Sequence, residues 1–417
     1  MALHHKEKIC LVVCQYGNEV NGGAEIHCKM LAERLTPYYH VDVLTSTVIN
    51  YNTFQPYYQV GLEIINQVNV RRFESTPFDR VFYDKIAKSS KLGRKTRRMF
   101  FRTGILRLIA NFIPKWDLSI ESEKEVLKAH GFYSSDLVGF VKKNANDYKS
   151  IILFSSSNPN TFFVGEMFPE KCISIPTAHH DGELFRSLHT HLFTSIRHIA
   201  FNTIEEQKLC ENIFGKSMSP SSIVAVGVEI AEAESKEHIF EKFNLPENYI
   251  LYFGRISPEK MGKLTEWFLA YKRNKRSDVK LVLTGRLFME KNDDPDIIYT
   301  GFVTEAEKIA LIENARFVIN PSERESLSLL LLEAMTLGKP VLVNGKCDVM
   351  KQHCIKSGFA CQYYVSKSDF LQKLDFMLYK IEDPKAIATK AQDYVKKHYD
   401  WNTILGKLRT LIESTPN

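Results

Sequence analysis

Short apolar runs alternate with helix-length intervals along this chain, and the alternation starts twice. The first series falls at residues 9–13, 41–44, 151–154, 172–176, 198–201 and 223–226. Uninterrupted apolar runs of this length, most of them separated by stretches with helical patterning, are those of strands buried on both faces of a parallel sheet. The pattern restarts at 249–253, 280–283, 297–299, 317–319 and 341–343, with helices expected over 263–272, 304–313 and 327–335. Two doubly wound α/β sheets follow. A chain of 417 residues is too long for one core and fits two domains of ordinary size. The stretch 229–246 is charged and lacks a strand, which makes it the expected linker.

Ligands of open α/β sheets bind at the carboxyl ends of the strands, so two such domains facing each other would form a crevice there. The chemistry-bearing residues cluster at those ends. After the run 249–253 comes Gly254-Arg255, then Pro258-Glu259-Lys260. A glycine lets backbone approach a ligand closely, Arg255 offers a planar fork of donors, and Lys260 adds a point charge near the next helix. The turn suits a diphosphate; a solvated basic turn is the plain alternative. Farther on, Glu325 and Glu333 bracket Ser326-Leu327-Ser328 and four leucines. With a helix from Leu327 onward the two acids would stand about 80° apart and about 12 Å apart along the axis. Glu333, set among leucines, needs a partner to offset its desolvation, and a polyhydroxylated ligand would serve.

In the first half, Gly22-Gly23 precede a helix expected over 26–35. Such a pair lets amides face an anion or lets a sugar lie on bare backbone, though it is more often a structural turn. It is not the dinucleotide fingerprint, and nothing argues for NAD. His179-His180-Asp181 follow the run 172–176. His180 is a candidate for sugar hydroxyls or proton transfer, with ordinary structure as the alternative; no third ligand suggests a metal.

Hydrophobic residues make up 44% and charged residues 25%, as in a soluble globular protein, and no run is long enough to cross a bilayer. The polar start at 1–8 leaves no room for a secretory signal, so a cytoplasmic location is expected. The eight cysteines are scattered without zinc spacing and read as reduced core residues. The net charge of +6 is mild, but residues 85–107 concentrate Lys88, Lys91, Arg94, Lys95, Arg97, Arg98 and Arg102 before an apolar stretch from Ile105 through Phe112 to Trp116. This segment reads equally as a surface helix on anionic lipid and as a solvated insertion whose apolar end packs on the domain. No nucleic-acid partner is expected, because the basic residues are confined to one insertion without a recognition module.

In order, Gly254-Arg255, Pro258-Glu259-Lys260, Pro321-Ser322 ahead of Glu325, and Glu333-Ala334-Met335 resemble the signature of family 4 of the retaining glycosyltransferases. The resemblance runs from the first strand to Trp401, apart from the basic segment and the linker. It implies the GT-B fold, two facing Rossmann-like domains with an interdomain cleft. Residues 1–235 would hold the acceptor and 236–397 the nucleotide sugar, with 398–417 returning to the first domain. It implies Arg255 and Lys260 on the donor diphosphate, with Gly254 in the same turn. Glu325 would meet hydroxyls of the donor sugar, Glu333 the ribose hydroxyls, and backbone near Val303 the base. Gly22 and Gly23 would lie on the phosphate or acceptor side, and His180 near the reacting face of the sugar. Where many members have Gly-Phe-Gly after the first acid, this chain has Ser326-Leu327-Ser328, a bulkier and more polar lining that leaves the donor sugar open.

The implied reaction moves a hexose from a nucleotide-diphosphate sugar, a UDP-sugar foremost, to a glycan hydroxyl with retention and without a metal or cofactor. The expected acceptor is a lipid-linked glycan of bacterial surface polysaccharide synthesis. The enzyme would then be peripheral at the inner face of the membrane through the segment from Lys88 to Phe112. A protein or soluble glycan acceptor, a phosphorylase or epimerase of the same architecture, and a catalytically silent subunit supporting a partner transferase stay open.

Overall fold

The computed structural model describes residues 6–20 and 22–416; most of the polar start and Asn21 of the Gly-Gly turn lie outside the described residues. The chain divides into two compact units, one running up to Val226 and resuming at Asn402, the other from Gly227 to Trp401.

Among the described residues, the first unit is built on eight strands: β1 (Lys8–Val12), β2 (His40–Ser46), β3 (Gly61–Ile65), β4 (Val68–Phe73), β5 (Ser150–Phe154), β6 (Cys172–Ile175), β7 (His198–Phe201) and β8 (Ser221–Ile223). Their order is β3-β4-β2-β1-β5-β6-β7-β8, parallel except for β3 against β4. Leu11 of β1 stands between Val43 and Ile152 of its neighbours, and all three are fully buried. The second unit has six: β9 (Tyr249–Phe253), β10 (Lys280–Thr284), β11 (Ile297–Gly301), β12 (Val318–Asn320), β13 (Val341–Asn344) and β14 (Gln362–Tyr364), in the parallel order β11-β10-β9-β12-β13-β14. Each sheet grows one way and then reverses, so each has a topological switch point, between β1 and β5 and between β9 and β12.

Three expectations need correction, and a fourth, the strandless linker, gains a helix. The hairpin β3–β4 escapes an apolar-run reading because polar residues interrupt it, and β14 because it is only Gln-Tyr-Tyr; Asn66 and Gln67 at the hairpin tip take φ of 48° and 67°, the left-handed pair such a tight turn requires. The expected linker contains the helix Lys236–Phe243, started by Ser235, whose side chain accepts from His238 N. The basic segment is three helices, Arg80–Ser89, Lys91–Arg102 and Leu106–Phe112, broken at Ser90 and at Gly104. The helix expected from Leu327 begins instead at Leu329 and runs to Thr336. Ser328 holds φ at 77° and caps it by accepting from Leu331 N, so the chain turns out of helical geometry before Glu325. The helical spacing between Glu325 and Glu333 therefore does not apply.

Candidate functional site

The donor-side candidates meet at the switch point of the second sheet, where β9 and β12 end side by side. Three loops lace together there: Gly254 N donates to Thr284 O at 2.9 Å, Ile256 N to Arg286 O at 3.0 Å, and Gly285 N to Gly301 O at 2.8 Å. A Cβ on Gly285, at φ 131°, would strike the Gly254 carbonyl, so this close crossing needs glycine. Arg255 is steadied through its backbone, because the buried Tyr252 hydroxyl donates to its carbonyl at 2.7 Å. Burial first, and then the Glu325 carboxylate, push the Tyr252 phenol up, while Arg255 draws it back; both charges act on one ring.

Lys260 sits on the short turn Pro258–Met261 and reaches across to β12's loop. Its Nζ lies 2.7 Å from Glu325 Oε1 and 3.4 Å from the Arg324 carbonyl. The sequence assigned these two side chains to different parts of a donor; here they form one ion pair. Ser326 and Leu327 continue the loop from Glu325 to the capping Ser328. Two asparagines closing their strands hold it: Asn320 Nδ2 donates to Ser328 Oγ at 2.9 Å, and Asn344 Nδ2 to the Pro321 carbonyl at 3.0 Å.

Glu333 has a partner within the chain, which corrects the inference that a ligand is needed to offset its burial. Lys308 Nζ lies 3.0 Å from Glu333 Oε1 and 2.7 Å from Glu305, and both Lys308 and Glu333 side chains are only 13% exposed. Burial pushes the Glu333 carboxyl up and Lys308 opposes it. Lys308 is placed by the helix Glu305–Asn314, whose capping box pairs Thr304 with Glu307 directly after Val303. Val303 is half-buried beside the exposed Phe302, over which the Arg286 guanidinium stands 5.9 Å from the ring centre.

In the first unit, His180 is exposed on the loop after β6, its ring 5.4 Å from Phe101 and 5.8 Å from Phe185. His179 pairs with Asp181 at 3.2 Å and thereby, against the pull of burial, keeps that carboxyl below its ordinary range. Beneath the loop the buried Glu206 accepts from Ala178 N at 2.5 Å and Asn202 N at 2.7 Å, and burial pushes it up to about 8. At the Gly-Gly turn the helix Gly23–Leu35 already has an anion at its positive end. The buried Glu25 carboxylate lies against Gly22 and accepts from the Tyr51 hydroxyl at 2.5 Å, so a second anion at Gly22 and Gly23 would meet like charge.

Both readings of the basic segment find material. Arg97 is buried and donates to the Ile213 carbonyl, Arg94 pairs with Glu183, and Leu106 and Ala110 pack inward. Leu92, Met99, Leu108 and Phe112 face outward together with Lys95, Arg102 and Arg107, Phe112 at 85% exposure.

Sequence reasoning passed over Tyr252, Asn320, Asn344, Lys308 and Glu206. The asparagines carried a readable signal, a polar residue closing an apolar strand just ahead of a loop. Lys308 and Glu206 gave none, since only the fold brings them to their partners.

Residues 234–394 match the family model of glycosyl transferases group 1. No curated protein matches the chain in sequence. Among solved structures, sucrose-phosphate synthase of Thermosynechococcus elongatus is 14% identical with a TM-score of 0.66, covering 98% of each chain. Anabaena HepE in complex with UDP and glucose is 14% identical at 0.67, covering 98% of this chain and 100% of that one. WaaG, a glycosyltransferase involved in lipopolysaccharide biosynthesis, is 12% identical at 0.62, covering 97% and 100%. The fold is therefore that of the GT-B glycosyltransferases, and the part that carries Arg255, Lys260, Glu325 and Glu333 is similar to glycosyl transferases group 1.

Proposed function

We propose that this protein is a retaining glycosyltransferase that moves a hexose from a UDP-sugar to a glycan hydroxyl. In this reading the second unit holds the donor and the first the acceptor. The carrying observation is the Lys260–Glu325 pair beside Arg255 at the β9/β12 switch point. A lysine ammonium has three hydrogens. One goes to Glu325 and one to the Arg324 carbonyl, and a diphosphate oxygen would take the third. Lys260 then couples the leaving diphosphate to the acid that meets the sugar. Negative charge grows on the diphosphate as the glycosidic bond breaks, so fixed cations there stabilise the transition state more than the ground state. Arg255 and Lys260 supply that charge without a metal ion. Glu333 and Lys308 would present an acceptor and a donor to the ribose hydroxyls, while Val303 backbone faces the base and His180 the reacting face of the sugar. The acids are positioning groups and not a hydrolytic pair.

A lipid-linked acceptor is the reading that the outward Leu92, Met99, Leu108 and Phe112 support, because such residues among exposed Lys95, Arg102 and Arg107 suit an anionic bilayer surface. Peripheral attachment through Lys88 to Phe112 would bring the acceptor to the first unit. Among the described residues no helix is long and apolar enough to cross a membrane.

The test is a panel of nucleotide sugars with and without glycan acceptors. Acceptor-dependent release of the nucleoside diphosphate with the anomeric configuration kept, unaffected by EDTA, is expected. Isomerised donor would replace the proposal with an epimerase, phosphate-dependent product with a phosphorylase, and binding without turnover with a silent subunit. Activity abolished by EDTA and restored by a divalent cation would overturn the metal-free mechanism.

A further inference from the structure

The loop that carries Glu325 is gripped from outside its own strand and helix. The helix Asp348–Lys356, which follows β13, reaches it at both ends. Cys347, just ahead of that helix, places Sγ 3.9 Å from the Glu325 carbonyl. His353, within it, places Nε2 3.0 Å from the Leu327 carbonyl and Nδ1 2.8 Å from the Tyr394 hydroxyl on the helix Pro384–His398. The imidazole is 3% exposed.

A carbonyl oxygen only accepts, so Nε2 donates to Leu327, while Nδ1 faces a tyrosine hydroxyl that can donate or accept. Tyr394 thus orients the ring, and His353 pins the Leu327 carbonyl. What it pins is the middle of a loop whose ends Asn344 and Asn320 already hold, at the Pro321 carbonyl and at Ser328 Oγ. Ser328, the next residue, stands at φ 77°, which a residue with a side chain adopts only where its surroundings impose it. Without the bond at Leu327 the segment between Glu325 and Ser328 would lose one of its holds, and Glu325 would be placed less sharply beside Lys260.

We infer that His353 is the positioning residue of the donor-sugar loop: it touches no substrate, but through the Leu327 carbonyl it sets where Glu325 and Ser326 present themselves to the sugar. The inference rests on the proposed reading of Glu325 as a sugar contact.

Two substitutions separate this role from general packing. A glutamine amide nitrogen falls near the place of Nε2, and an asparagine nitrogen near that of Nδ1. His353→Gln keeps the bond to Leu327; His353→Asn loses it. Three readouts are compared: donor turnover, affinity for the free nucleoside diphosphate, and hydrogen–deuterium exchange of peptides spanning 323–332. The expected result for H353N is about a tenfold fall in kcat, since a displaced positioning group costs this much or more. Nucleoside diphosphate affinity and Tm should be kept, with faster exchange in that peptide alone. H353Q should stay within about threefold of the wild type in all respects.

Equal losses in both variants, in step with Tm and nucleotide affinity, overturn the inference, as does wild-type behaviour in both. Should H353N not fold, Tyr394→Phe takes its place. Loss of the bond that orients the ring should speed exchange over 323–332 with Tm kept, and unchanged exchange overturns the inference. A wild type that turns over no nucleotide sugar sinks the proposed function instead, while the exchange comparison still decides whether His353 anchors the loop.

Discussion

The two units share one architecture and treat the ends of their strands differently. In the second, side chains near the β9/β12 switch point are tied to one another or to the loop between them: Lys260 to Glu325, Lys308 to Glu333, Asn320 and Asn344 to the connecting loop. In the first, the strand ends offer backbone, a glycine turn already occupied by Glu25, and an exposed His180 propped on Phe101. The first unit also carries three helices between β4 and β5 that show apolar and basic residues to the outside. Under the proposed function, the difference follows the two demands of glycosyl transfer. A leaving diphosphate has fixed charge and geometry, which preorganised cations can match in advance. An acceptor is a set of neutral hydroxyls on a scaffold of arbitrary shape and demands no matching fixed charge.

The sharpest way to break this comparison is to remove the cations of the second unit. Arg255→Ala and Lys260→Ala are each expected to lower kcat by about a hundredfold or more, the usual cost of losing one transition-state donor. Lys260→Ala also leaves Glu325 without its partner, so its donor KM should rise as well. Near-normal kcat in both variants would refute the assignment of the diphosphate to this switch point.

How far the sequence went follows the same divide. That Gly254-Arg255 and Glu325 fall in the loops after β9 and β12 is legible because apolar runs mark the strands. The Glu325–Glu333 relation was misread because a helical period was extended through Ser328, whose left-handed backbone no pattern of apolar residues announces. Glu333 looked like an acid waiting for a ligand because Lys308, its partner, is 25 positions away on a helix of its own. In the first unit interrupting polar residues hid β3 and β4. The basic run hid two breaks, at Ser90 and Gly104, that turn one expected helix into three.

The outward face of those helices offers a second, smaller effect. Leu108→Ser with Phe112→Ser should cut binding to anionic vesicles by about tenfold, since each side chain gives up part of the roughly 1.5–3 kcal/mol that full burial supplies. Affinity for the free nucleoside diphosphate should not change. Flotation that is equal for the double variant and the wild type, on anionic and neutral vesicles alike, would make the face a solvated one and remove the support for a lipid-linked acceptor.

The smallest effect is one of pH, and it distinguishes the units by their buried acids. In the first unit burial pushes Glu123 up to about 7 and Glu206 up to about 8, from an ordinary value of 4.5. The unfolded chain therefore loses these protons at lower pH than the folded unit does. Their contribution to stability is complete below about 4.5 and is lost as the pH rises through about 7 to 8. In the second unit Glu333 is pushed up as well, but Glu259 and Glu307 are held below their ordinary range by hydrogen bonds and neighbouring cations, which tilts its dependence the other way. The tryptophans allow the two to be followed separately, because Trp116 lies in the first unit and Trp267 and Trp401 in the second. With Trp267→Phe and Trp401→Phe in place, the fluorescence midpoint of thermal unfolding should fall by a few degrees from about pH 5 to about pH 8. Glu123→Gln, which keeps the acceptor for Leu188 N while removing the titration, should flatten the slope. A slope unchanged by that substitution would mean that the buried acids of the first unit are not what its stability responds to.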